Sequence, residues 1–563
     1  MTPLRGPILR GAVLGVVLLG LIAPIVVGLT ETARAGFGQL PALGHVGWSL
    51  EPWRMLRDQP GFVTSLRLTL VTGVGATLIA LALAVGFCAA MSSGAGAGRM
   101  RWLAPFLAVP HAAMAVGLAF VLAPSGWIAR VFAFVLGWDQ PPDVASVHDG
   151  WGLALMLGLV VKELPYLLLV MASGLSQVPV ARQMAVGRAM GYAPGVVWIK
   201  VIWPQLWPLI RLPVWVVLAY GLSVVDMAVI LGPSNPPTLA VAVVRWFNAA
   251  DVAMILPAAA GALVQTAVVV VAIAALCGAE VVLRRAGLWW LRRGGRGWSW
   301  GPGLRVAQGG VVGLMALAAL ALLSLLVWSL AWRWSFPMLW PEGWSGALWM
   351  RADWRMAMLH TLVLAAVTVV LALVLAICWL EAEEDRARAP WAEALIYLPL
   401  LVPQIGFLYG LNVVFLRAGV AGGYAAVICG QLLFVFPYVM IALSEPWRAL
   451  DARLLRVGAA LGAGRWRRLL ALRLPMLLRP IMTAAAIGVA VSVAQYLPTL
   501  FLGAGRIATL TTEAVTLSSG SDRRVTGVYA SLQAALPFAA YGLAALIPAW
   551  WHRNRRDLRG GTA

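Results

Sequence analysis

Ala185-Val186-Gly187-Arg188-Ala189-Met190-Gly191 runs on to Val201-Ile202-Trp203-Pro204, and Arg456-Val457-Gly458-Ala459-Ala460-Leu461-Gly462 runs on to Leu472-Arg473-Leu474-Pro475. The copies lie 271 residues apart, and in each the proline follows the last glycine by 13 positions. That spacing predicts a short helix, a turn at a glycine free to take positive φ, a second short amphipathic helix, and a proline opening the next long helix. Two such units in one chain imply a duplication, with each unit at the same place in its copy.

Outward from these loops, the sequence is dominated by apolar runs of spanning length. They fall near 11–30, 66–90, 102–122, 151–173, 212–232 and 255–283, then near 307–330, 359–379, 394–416, 424–444, 481–503 and 527–550. A membrane-spanning helix needs about 20 apolar residues, so the expectation is twelve helices in two groups of six. Only 11% of the 563 residues are charged and 61% are hydrophobic, against about 25% and 45–50% in soluble domains. This excludes a soluble multidomain enzyme and a disordered chain. Lipid leaves no backbone group without an internal partner, and the runs lack the short alternating pattern of a barrel, so the fold class is all-α and polytopic. The expected organisation is a first six-helix half over 1–283, a basic linker over 284–306 and a second half over 307–563.

The halves share landmarks. Thr69-Leu70 corresponds to Thr361-Leu362, Val109-Pro110-His111 to Val402-Pro403-Gln404, Gly117 to Gly410, and Pro165-Tyr166 to Pro437-Tyr438. Six helices per half give both halves one orientation, hence a pseudo-twofold axis along the membrane normal and a pathway between them.

The net charge of +20, from 42 Lys+Arg and 22 Asp+Glu, fits cationic cytoplasmic loops rather than nucleic-acid binding. With both termini inside, cytoplasmic segments hold 28 of the 42 cations and the opposite side 12. The first run, uncharged over 11–29, is too long for the 7–15-residue apolar core of a cleaved signal peptide and is expected to stay as a helix. Cys88, Cys277, Cys378 and Cys429 stand singly inside apolar runs, with neither a disulfide nor a zinc spacing.

The paired loops resemble the Glu-Ala-Ala-x-x-x-Gly…Leu-Pro loop of the membrane subunits of ABC importers that work with a periplasmic binding protein. Gly191 with Pro204, and Gly462 with Pro475, match it in spacing. Ala185 and Arg456 replace the family Glu, and Gly187 and Gly458 replace its second Ala. The chain is most similar to fused two-half permeases of the ferric-iron and thiamine type, and residues 226–241 and 495–505 look YnjC-like. The resemblance implies a type I importer permease of the bacterial inner membrane that forms the translocation pathway. It also implies docking of two cytoplasmic ATPase subunits through the two loops, and a periplasmic substrate-binding protein outside; no cofactor is implied.

The only lysines are Lys162 and Lys200, and neither sits in the Gly-Lys-Ser/Thr context of a phosphate-binding loop. The chain is therefore not expected to hydrolyse ATP itself. The rival is a twelve-helix secondary transporter of the major facilitator type, which shares the parallel repeat; its acidic-then-basic loop after the second helix has no counterpart over 91–102. Scattered histidines without paired carboxylates argue against a membrane-embedded enzyme, and His111 and His360 read as contacts between helices. Charges within the bilayer are costly and mark candidate functional positions. Lys162, Glu163 and Asp226 are such positions, with uncharged counterparts Phe434, Val435 and Gln495. Lys162, Glu163, Asp226 and Gln495 are the candidate pathway residues, with Lys162 expected to neutralise one of the acids between the fourth and fifth helices.

Overall fold

The computed structural model describes residues 5–91, 103–297, 301–351, 353–383, 390–520 and 522–554. The first half contributes α1 (Arg5–Gly36), α2 (Phe62–Met91), α3 (His111–Leu122), α4 (Leu153–Ser176), α5 (Val180–Ala189), α6 (Trp203–Ser223), α7 (Asp226–Leu231), α8 (Leu239–Phe247) and α9 (Ile255–Arg292). The second contributes α10 (Gly301–Leu330), α11 (Asp353–Glu383), α12 (Gln404–Arg417), α13 (Tyr424–Ala449), α14 (Ala452–Ala460), α15 (Leu478–Ala494), α16 (Leu497–Gly503), α17 (Leu510–Ser518) and α18 (Arg523–Trp551). Between α10 and α11 the chain makes a small antiparallel hairpin, β1 (Ala331–Arg333) with β2 (Gly343–Trp344). The loop over 91–102 lies largely outside the described residues.

Twelve apolar runs do not give twelve unbroken spans. Among the described residues, 10 helices are long and apolar enough to cross a membrane, and an eleventh span bends by 75° between Arg465–Met476 and Leu478–Ala494. The run over 394–416 is cut at Val402-Pro403, and its longest piece, α12, has 14 residues. Proline supplies no N–H to the preceding turn, which ends the helix there. The 212–232 run also breaks: α6 ends at Ser223, Val224 is extended, and Asp226 opens the separate α7. Asp226 therefore stands at a helix break rather than inside the fifth helix, and Gln495 occupies the equivalent break between α15 and α16.

The repeat is visible atom by atom. Thr69 in α2 accepts the Leu239 N–H at the start of α8 (2.9 Å), and Thr361 in α11 accepts the Leu510 N–H at the start of α17 (3.0 Å). Each buried hydroxyl thus satisfies one of the unpaired N–H groups of a helix start.

The halves interlock. α1 packs along α12 of the second half, and α10 along α3 of the first. Both crossings are close enough that a Cβ at Gly410 would strike the Gly28 carbonyl, and one at Gly117 the Ala321 carbonyl. Polar contacts seal them: the Gly410 N–H donates to Thr32 Oγ1 (3.2 Å), and Ser324 Oγ donates to the Gly117 carbonyl (3.0 Å). Glycine at a crossing lets backbones approach, the usual source of cohesion where lipid removes the hydrophobic driving force.

Candidate functional site

Each loop between fourth and fifth helix begins with a short helix, α5 or α14, and closes on a glycine in the left-handed region, Gly191 at φ +81° and Gly462 at φ +78°. The turns bond alike: Gly191 N–H to Arg188 and Tyr192 N–H to Gly187, then Gly462 N–H to Ala459 and Ala463 N–H to Gly458. A second short helix follows, and then a wide i→i+5 turn over Trp198–Ile202 and over Leu469–Arg473. In it Trp203 N–H reaches the Trp198 carbonyl, and Leu474 N–H the Leu469 carbonyl. Pro204 and Pro475 come next and cannot bond four residues back, so the helix widens just before them.

The departures from the family motif acquire a physical reading. A Cβ on Gly187 would collide with the stiff Val197 side chain, and one on Gly458 would lie 2.7 Å from Leu472 Cδ1. Glycine at these two positions lets the first loop helix rest on the segment after the turn. Ala185 and Arg456, at the family Glu positions, are both exposed.

Two residues of each loop were not among the sequence-stretch candidates. Val186 and Met190 are 53% and 56% exposed, and their equivalents Val457 and Leu461 are 58% and 82% exposed. Each pair is spaced i, i+4 and so shares one helix face. The signal was present in the sequence as apolar residues four apart on short helices whose only charged residues are arginines. Beside the first pair a cleft of about 500 Å³ opens, lined also by Tyr192, Lys200 and Leu291.

The loops differ in what braces them. Lys200 Nζ donates to the Gly295 carbonyl (2.9 Å) and lies 4.4 Å from the Trp290 ring centroid, while Ala193 N–H donates to the Arg296 carbonyl (3.0 Å). The basic linker is thereby fastened to the first loop. The second loop is fastened to α11: Arg465 and Arg473 bind the two oxygens of Glu381 at 3.2 and 3.0 Å, and Arg448 binds Glu383 at 2.8 Å.

The other four candidates line one cavity of about 360 Å³ between the halves. Lys162, Glu163, Asp226 and Gln495 all border it, as do the repeat partners His111 with Gln404 and Tyr166 with Tyr438. The pairing expected for Lys162 is not what forms. Its Nζ donates to the Phe106 and Leu107 carbonyls at 3.2 and 3.0 Å. Pro110 has no N–H to offer Phe106 one turn back, and the ammonium reaches the carbonyls at that break. Glu163 instead meets His111 Nε2 at 3.2 Å, and Asp226 accepts from Tyr220 Oη at 3.4 Å. His111 does bridge helices, whereas His360 Nδ1 lies 2.8 Å from the Ala508 carbonyl, in the segment between α16 and α17. Gln495 Oε1 is buried without a hydrogen-bond partner.

Interlocked helical halves, a cavity between them and a matched pair of helix–turn–helix loops together define a polytopic membrane permease. A family model described as binding-protein-dependent transport system inner membrane component matches residues 384–550. The chain is also 31% identical over 544 residues to the inner membrane ABC transporter permease protein YnjC of Escherichia coli (strain K12), covering 91% of this chain and 93% of that relative. It belongs to the family of inner-membrane ABC transporter permeases.

Proposed function

We propose that this permease forms the complete translocation pathway of an importer and is driven by two separate ATPase subunits, one seated on each of the two loops. The observation that carries this reading is the matched pair of exposed apolar faces, Val186/Met190 and Val457/Leu461, each held rigid by a left-handed glycine and a proline-led wide turn. Apolar side chains exposed on basic cytoplasmic helices are costly unless something covers them, and contiguous ones mark a docking surface. A substrate-binding protein delivers the solute from outside, and the cavity bordered by Lys162, Glu163, Asp226 and Gln495 passes it on.

The test is association of the ATPase subunit with purified full-length permease. Gly191 and Gly462 have open space around their Cβ positions, so replacing either by Ala acts through backbone alone, at about 1–2 kcal/mol for a left-handed residue. Weakened ATPase association with normal membrane insertion is expected; unchanged association and transport in the double variant contradict the docking role. The 28-to-12 division of cations supports a cytoplasmic position for both termini and both loops. A single cysteine at position 195 or 464 is then protected from an impermeant thiol reagent in intact cells, and labelling there reverses the orientation.

A further inference from the structure

The wall of the central cavity is uneven in charge. Glu163 and Asp226 both border it and both are buried. Glu163 meets His111 Nε2, and Asp226 accepts from the neutral Tyr220 hydroxyl. Lys162 is the one ammonium there, and its Nζ is turned to two backbone carbonyls. Two carboxyl groups and one ammonium thus border the cavity, and the ammonium is engaged by backbone carbonyls. Five tyrosines, Tyr166, Tyr220, Tyr438, Tyr496 and Tyr541, also border it, and phenol rings attract cations over their faces. Gln495 Oε1 is a buried acceptor that lacks a donor, an arrangement a bound solute's N–H or O–H would complete. Among the described residues no three His, Cys, Asp or Glu side chains converge to hold a metal ion.

We propose that the cavity admits a small organic ammonium carrying a hydrogen-bond donor and disfavours anions of the same size. This rests on the cavity being the translocation pathway, and the two ideas fail differently. The experiment places a single cysteine, Ala442→Cys or Ala490→Cys, in the cavity wall of the full chain, with Cys88, Cys277, Cys378 and Cys429 replaced by alanine, in lipid nanodiscs. Reaction rates are measured with a trimethylammonioethyl and a sulfonatoethyl methanethiosulfonate, each relative to its rate with a free thiol. The cationic reagent is expected to be favoured by about tenfold or more, since carboxylates bordering a low-dielectric cavity attract it and repel the anion. Glu163→Gln and Asp226→Asn, made separately so that one poorly folding variant does not decide the matter, each lower that ratio. Choline slows the labelling, and isethionate, its hydroxyethyl-bearing anionic counterpart, does not. Equal rates, faster anionic labelling, or no protection by choline overturns the cation assignment and leaves the pathway standing. Failure of both reagents to react at both positions overturns the pathway reading, and the cation assignment falls with it.

Discussion

Glu381 sits in the last turn of α11 and holds Arg465 and Arg473 of the second loop through its two carboxylate oxygens. Arg473 is buried, and its guanidinium also stacks 4.3 Å from the Trp447 ring centroid. A charge-assisted hydrogen bond contributes about 1.5–3 kcal/mol, and a buried charge left alone costs more than the bond was worth. Glu381→Gln is therefore expected to lower the thermal stability of the permease by about 2–3 kcal/mol and to weaken ATPase association at the second loop. Adding Arg473→Met restores stability if the loss came from the orphaned cation; no recovery in the double variant means that Glu381 acts elsewhere. This contact was not legible in the sequence, because the acid lies 84 and 92 residues from its partners. Gly191, Gly462, Pro204 and Pro475 were legible, since a turn and a helix start are local events with local residue preferences. The partner of Lys162 was misread for a related reason: the carbonyls it binds lie just before Pro110, more than 50 residues away, and side-chain charge alone does not reveal them.

At the scale of elements, apolar length and the offset between copies were enough to locate the helices and the duplication. The breaks within four of the runs were not, although the residues responsible were in view. Pro110 and Pro403 served as landmarks of the repeat, and their effect on the helix ladder places the cavity-lining carbonyls and side chains. The interlocking of α1 with α12 and of α10 with α3 is invisible to any periodicity, because each contact joins residues hundreds of positions apart. It does have a measurable consequence. Gly410→Ala puts a methyl group against the Gly28 backbone, which cannot rotate away, and overpacking of this kind costs about 1–3 kcal/mol. Gly309→Ala in α10 meets nothing within 4 Å and is expected to be neutral or slightly stabilising, since alanine is the better helix former. Thermal unfolding of the two variants in the same lipid or detergent checks this; equal melting temperatures would mean that the crossing is looser than described.

At the scale of the whole molecule, one chain supplies both halves of a permease, with chemically unlike walls facing one cavity and unlike braces under two similar loops. The segment after α9 holds the first loop and α11 holds the second, so the two loops are similar in shape without being equivalent in support. If each loop seats one ATPase subunit, stoichiometry follows directly from the loops. A charge buried without a partner is costly, so charged replacements of a pair remove a subunit rather than merely loosen it. The decisive measurement is the mass of the intact complex of full-length permease with its ATPase, determined under non-denaturing conditions. The account predicts two ATPase copies per wild-type chain, one when either Val186→Asp/Met190→Asp or Val457→Asp/Leu461→Asp is introduced, and none when both pairs are changed. Two copies retained by the fully substituted chain would contradict it.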